Sequence, residues 1–176
     1  MRVYLVGYMG SGKSTLGRRL SEEMGIQFID MDDYIEERNH KTIPQIFAEE
    51  GENVFREKER TALEELSKFT DVVVATGGGA PCFFDNMELM KKSGTTIFLN
   101  IDPEILAERL LDSKIDRPLI KGKSREELIA FINESLQKRL PFYKKAHLQL
   151  IKPDADTAEL KKQLLNRKKI DTPGFK

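Results

Sequence analysis

Cysteine is nearly missing from this chain, and histidine is almost as scarce. A single Cys82 in 176 residues excludes an internal disulfide, and with only His40 and His147 beside it there is little material for a zinc site. Charge of one sign is missing too. Twenty-nine Lys and Arg cancel 29 Asp and Glu, so no overall field gathers nucleic acid or an anionic membrane, and any anion site must be built locally. No apolar run approaches membrane-spanning length, and the opening "RVYLV" is too short for the apolar region of a signal peptide. These absences lead us to expect a reducing, cytoplasmic setting and no nucleic-acid or membrane partner; a monomer is the expectation for the assembly. With 39% hydrophobic and 33% charged residues, the length suits one domain, 1–176, around one core.

What is present is a series of short apolar runs. Val3 to Val6 is followed by glycines and then by Leu16, Leu20 and Met24 at four-residue spacing, which reads as strand, loop and helix, with Gly25 as the stop. "IQFID" ending at Asp30, Val72 to Ala75, "TTIFLNID" and "LQLI" near Leu148 supply four more strands. Continuous rather than alternating apolar runs, separated by helical stretches, indicate a parallel sheet covered on both faces. The expected fold is α/β, a three-layer αβα arrangement on a five-stranded parallel sheet.

Two connections are too long for a simple crossover. Residues 31–66 contain a helix that Thr42 can cap, with Pro44 in its first turn, then a break at Gly51 and a further helix from Glu52 to Leu66, so we expect a helical insert beside the sheet. Residues 112–126 are polar, carry Pro118 and Gly122, and suit a mobile lid ahead of a helix bearing Leu128, Ile129, Ile132, Leu136 and Leu140. Asp156 with Glu159 three residues on opens a last helix, and "NRKKIDTPGFK" reads as a frayed tail.

The strongest motif is "GYMGSGKS", Gly7 to Ser14, which matches G-x-x-x-x-G-K-[ST] directly after a strand and at the start of a helix. Glycines allow backbone turns closed to other residues, so successive N–H groups can point at phosphate oxygens while the helix N-terminus adds positive charge. Gly10, Ser11, Gly12, Lys13, Ser14 and Thr15 are therefore candidates for holding ATP, Lys13 on the β and γ phosphates and Ser14 on Mg²⁺. A plain tight turn would need one glycine, not three followed by Lys-Ser.

The acceptor has to be argued from other residues. Asp30 and Asp32 end the second strand, where one carboxylate can serve Mg²⁺ and the other an acceptor hydroxyl. The competing reading is helix capping, which we favour for Asp33, whereas Asp30 at the strand end has no helix to cap. Gly77, Gly78 and Gly79 follow the third strand and leave a floor where a ligand can touch backbone, or else form a flexible turn. Arg56, Arg117 and Arg139 come from the insert, the lid and the late helix, and singly each could be a solvated surface charge. Arg117, before Pro118 in a loop, is placed to bring charge onto a transferring phosphoryl group. Cys82, His40 and His147 read as structural, and Phe28, Phe55, Phe83 and Phe84 as core.

Taken in order, "GYMGSGKSTLGRRLS", "FIDMDDYIEE", "IFAEEGENVFREKE", "ATGGGA", "RPLI" and "KRLPFYKKA" resemble the shikimate kinase family of nucleoside-monophosphate-kinase-like enzymes, from Arg2 to the final helix. The resemblance implies transfer of the ATP γ-phosphoryl group to the 3-hydroxyl of shikimate, in aromatic amino-acid biosynthesis. It implies that Asp32, Arg56, Gly78, Gly79 and Arg139 hold shikimate, both arginines on its carboxylate, and that Glu59 orients Arg56. It assigns Asp30 to the Mg²⁺ shell, Arg117 to the lid, Arg109 or Leu110 and Pro153 to the adenine, and catalysis to Lys13, Asp32 and Arg117. The competing readings are another small-molecule kinase, such as a gluconate kinase, and a non-catalytic nucleotide-dependent switch. No Asn-Lys-x-Asp run supports the second.

Overall fold

In the computed structural model, residues 1–113, 120–151 and 155–171 are described, the last four of these by backbone alone. Strand β1 (Arg2–Val6) leads into helix α1 (Lys13–Met24), followed by β2 (Gln27–Asp30), α2 (Met31–Asn39), α3 (Ile43–Leu66) and β3 (Val72–Ala75). A short 3₁₀ turn, Ala80–Cys82, precedes α4 (Asn86–Ser93), β4 (Thr95–Leu99), α5 (Pro103–Asp112), α6 (Arg125–Tyr143), β5 (Leu148–Leu150) and α7 (Thr157–Asp171).

The strands form one sheet in the order β2-β3-β1-β4-β5, every neighbouring pair parallel. Successive side chains of a strand point to opposite faces. Val3, Tyr4, Leu5 and Val6 are all fully buried, as are Val72, Val73 and Val74, so both faces of the sheet are covered and the expected three layers follow. The register sets Asp30, Ala75, Leu5 and Ile97 in one row across four strands. The chain therefore leaves β2, β3 and β1 at one level of the carboxyl edge, which is where ligands bind in such sheets.

The helices start and stop where their sequences direct. Gly25 closes α1 in the left-handed conformation, φ 66°. Thr42 and Gln45 form a reciprocal capping box on α3, and Ser124 and Glu127 do the same on α6. The break expected at Gly51 is a kink, φ 84° and ψ 171°, inside α3. Asp156 accepts from the amides of Ala158 and Glu159 at the start of α7.

Three expectations are corrected. Asp30 does have a helix to cap: its carboxylate accepts from the Asp32 amide at 3.1 Å, and Asp33 stands inside the first turn of α2 instead of at its cap. The turn from β2 into α2 is immediate, so Asp32, expected at the end of the strand, stands in the helix as well. The tail from Asn166 is helical as far as Asp171. Phe84 is 61% exposed at φ 50°, because the turn after the glycine run points it outward. No helix among the described residues is long and apolar enough to cross a membrane.

Candidate active site

The loop between β1 and α1 passes through positive φ at Gly7, Gly10 and Gly12 (148°, 78° and 93°), a path that L side chains rarely take. Gly12 caps α1 without a side-chain hydrogen bond, and no acidic residue stands in the first turn. The orphan amides and the positive end of the helix dipole are thus offered to an anion. Lys13 arches back over the loop, its Nζ donating to the carbonyls of Gly7 and Tyr8, both at 2.9 Å. The Ser14 hydroxyl donates to Asp30 Oδ2 at 2.6 Å. Although β3 lies between β1 and β2, α1 spans the gap, and Asp30 joins the phosphate loop to the start of α2.

A cavity of about 430 Å³ opens above this loop. Of the expected residues, Gly10, Gly12, Lys13, Ser14, Thr15, Asp30, Asp32, Gly78 and Arg109 line it, joined by Met9, Arg19 and Thr76. Ser11 is instead buried beneath the loop. Thr76 fixes the exit of β3, its amide and hydroxyl both donating to the Leu5 carbonyl at 3.1 and 3.0 Å.

The glycine run that follows is small for reasons that can be named one residue at a time. A methyl group on Gly77 would lie 2.9 Å from Asp32 Oδ1 and 3.0 Å from Glu59 Oε1. On Gly78 it would meet Arg139 Nη1 at 3.4 Å, and on Gly79 Arg56 Nη1 at 2.8 Å. The run is the place where Asp32, Glu59, Arg56 and Arg139 approach one backbone segment, so the flexible-turn reading gives way to close packing.

Arg56 is held on three sides. Its Nη1 donates to Glu59 at 2.9 Å, its Nε and Nη2 donate to Glu52 at 3.3 and 3.1 Å, and its guanidinium carbon lies 4.0 Å from the centre of the Phe83 ring. Only 13% of its side chain is exposed. Arg139 lies 5.2 Å from the centre of the buried Tyr8 ring. Neither arginine is the solvated surface charge it could be when taken singly.

Burial, then the neighbouring Asp30 charge, pushes the Asp32 carboxyl up to about 6, with Lys13 pulling the other way. Burial likewise raises Glu59 against the opposing pull of Arg56. Cys82, at the end of the glycine turn, is pushed up to about 11, chiefly by burial. A thiol so far from ionising is a packing group, not a nucleophile. His147 is structural as well, its Nδ1 facing the Thr96 amide and hydroxyl at 3.1 Å.

Arg109 reaches the carbonyls of Gly10 and Ser11 at 3.3 and 3.4 Å, while Leu110 packs under Gly10. Of the two adenine candidates on this helix, Arg109 is the one on the cavity. Arg117 and Pro153 lie outside the described residues. Sequence reasoning missed Arg19, Thr76 and the stacking of Phe83 on Arg56; an aromatic just past a glycine run was the available signal for the last.

A sequence model described as shikimate kinase matches residues 9–169. A shikimate kinase from Parabacteroides distasonis is 59% identical over 147 residues, covering 84% of this chain and 85% of that protein. Among solved structures, shikimate kinase from Bacteroides thetaiotaomicron superposes with a TM-score of 0.88 at 44% identity, over 94% of this chain and 98% of that one. Shikimate kinase from Acinetobacter baumannii, in complex with shikimate, gives 0.81 at 35% identity, over 97% and 93%.

Proposed function

The chain belongs to the shikimate kinase family, and from that premise we propose how its own residues divide the work of moving a phosphoryl group from ATP to the 3-hydroxyl of shikimate. It is a small-molecule kinase that phosphorylates shikimate with ATP. One observation carries the assignment of roles. Arg56 from α3 and Arg139 from α6 meet on Gly78 and Gly79, and Gly78 also lines the cavity over the phosphate loop. A carboxylate held by two guanidinium groups there would place a ring hydroxyl between Asp32 and Lys13.

Gly10, Gly12, Lys13, Ser14 and Thr15 receive the phosphates, and Lys13 exchanges its two carbonyl partners for β- and γ-phosphate oxygens. Asp32 accepts the acceptor's hydroxyl hydrogen. Its position near 6 leaves it ionised at neutral pH yet basic enough to take a proton. Arg56 and Arg139 hold the acceptor carboxylate, with Glu59 fixing Arg56. Arg117, from the expected lid at 112–126, supplies charge to the transferring group, and Pro153 borders the adenine. The acceptor side is carried by the helical insert at 31–66.

The donors for Mg²⁺ fit the ion's habits. Mg²⁺ uses hard oxygens, takes one or two from protein, and fills the remainder with phosphate and water. Ser14 Oγ and Asp30 Oδ2, 2.6 Å apart at the mouth of the phosphate loop, are two such oxygens. When bound, the ion neutralises phosphate charge. We place the enzyme in the cytoplasm, a reading supported by its unpaired Cys82, and expect it to act as a monomer.

The test is ADP release by the purified protein with shikimate, quinate and gluconate offered separately. Shikimate is expected to support turnover at least ~10-fold above gluconate, in line with the loss when a charged or hydroxyl contact is left unmatched. Faster turnover with gluconate, or ATP hydrolysis that none of the three stimulates, would overturn the assignment.

A further inference from the structure

Tyr143 ends α6 four residues beyond Arg139, and none of the roles above uses it. It is fully buried. Its ring packs against Phe98 of β4, centroids 5.1 Å apart. Its hydroxyl donates to the Gly78 carbonyl at 2.5 Å, across 65 residues of sequence. Arg139, one helical turn earlier, interacts with the same hydroxyl. Burial raises the phenol well above its ordinary range, so at neutral pH it is a protonated donor.

Two acceptor-binding elements therefore depend on one oxygen. The first is the glycine turn. A trans peptide is planar, with its C=O and N–H pointing to opposite sides, so fixing the Gly78 carbonyl toward Tyr143 also fixes the Gly79 N–H away from it. Glycine provides no side chain to restrict that peptide by itself. The second is the Arg139 guanidinium, whose Nη1 would lie 3.4 Å from a methyl group on Gly78 and whose other face rests on Tyr8. Hydroxyl and guanidinium lie on one face of α6, so a single interaction sets the arginine relative to the turn it must work with.

We infer that Tyr143 is a positioning residue for the acceptor, its hydroxyl locking the Gly78–Gly79 peptide and Arg139 into the one arrangement that receives the substrate carboxylate. It touches neither substrate nor nucleotide. The inference rests on the acceptor reading above, but it can fail separately. It also distinguishes Tyr143 from Tyr4, an equally buried tyrosine whose hydroxyl bonds to Ser93 Oγ at 2.9 Å, outside the site.

The experiment compares Tyr143→Phe, Tyr4→Phe and the parent protein by steady-state kinetics in both substrates, with thermal melts of all three. Both variants keep their rings and each loses one buried hydrogen bond, so similar small losses of stability are expected. Tyr143→Phe should raise the shikimate KM about 10-fold, with the ATP KM within about twofold and kcat within about threefold, as when a group serves acceptor binding alone. Tyr4→Phe should change none of these by more than about twofold. A Tyr143→Phe shikimate KM within about twofold of the parent, or ATP and shikimate KM values rising together, would overturn the inference. Should the parent prefer another hydroxy acid, the acceptor assignment fails, and the same KM comparison on that acid still decides the role of Tyr143. If Tyr143→Phe melts too early to assay, Gly78→Ala perturbs the same turn from its other side, and an unchanged acceptor KM there would equally count against it.

Discussion

Asp32 takes its basicity from its surroundings: burial and the Asp30 carboxylate push it up to about 6 from an ordinary 3.8. Between those two values the folded protein holds a proton that the unfolded chain has already released, so this group favours folding below about pH 4. That contribution is lost as the pH rises through about 6. The predicted consequence is that Asp32→Asn, melted in EDTA without nucleotide, is more stable than the parent at pH 7 by on the order of 2 kcal/mol. It should lack the parent's loss of stability between about pH 4 and 6 and be catalytically poor. Melting curves at three pH values check this, and identical pH profiles for variant and parent would refute the assignment of the raised carboxyl. The sequence put Asp32 at a strand end, whereas it stands in the first turn of α2, just past the strand, and lines the cavity. Its basicity was not legible, because burial and the Asp30 distance are properties of packing.

At the scale of elements, α1 lies against the sheet through Gly17. A methyl group there would sit 2.9 Å from Phe28 Cδ2, closer still to Cε2, and 3.3 Å from Leu5 Cδ1. Gly→Ala inside an exposed helix normally stabilises by about 1 kcal/mol. Here helix and strand must separate or Phe28 must turn, and Phe28 is also held from outside by Arg18, 4.7 Å from its ring centre. Gly17→Ala should therefore destabilise, by about 1–3 kcal/mol as overpacked cores do, measured by urea denaturation; a stabilised variant would show that the contact is soft. Helix limits were readable where a cap carries its own chemistry, as with Thr42 and Asp156. They were misread where two elements abut, as at Asp30, because strand exit and helix cap then share one residue.

For the whole molecule, the helical insert, the phosphate loop and the glycine turn converge on one row of the sheet. Glu59 of α3 sits beside Asp32 of α2 at Gly77, and Tyr143 of α6 reaches the turn after β3. We predict a single cooperative unfolding transition, with near- and far-ultraviolet circular dichroism coinciding. Saturating ADP with Mg²⁺ should move it upward, a ligand at about 100 times its Kd adding about 2.7 kcal/mol. Two separated transitions would mean that residues 31–66 fold as a unit of their own.

The amino-acid sequence by itself determined the parallel sheet, the phosphate loop and the family, since periodicity, glycine placement and ordered motifs are local and survive without coordinates. Tertiary structure alone decided which arginine stacks on Phe83, why three glycines stand in a row, and how Tyr143 reaches Gly78. Those facts depend on distances between segments tens of residues apart, set by strand register and helix packing, and no local pattern encodes such distances.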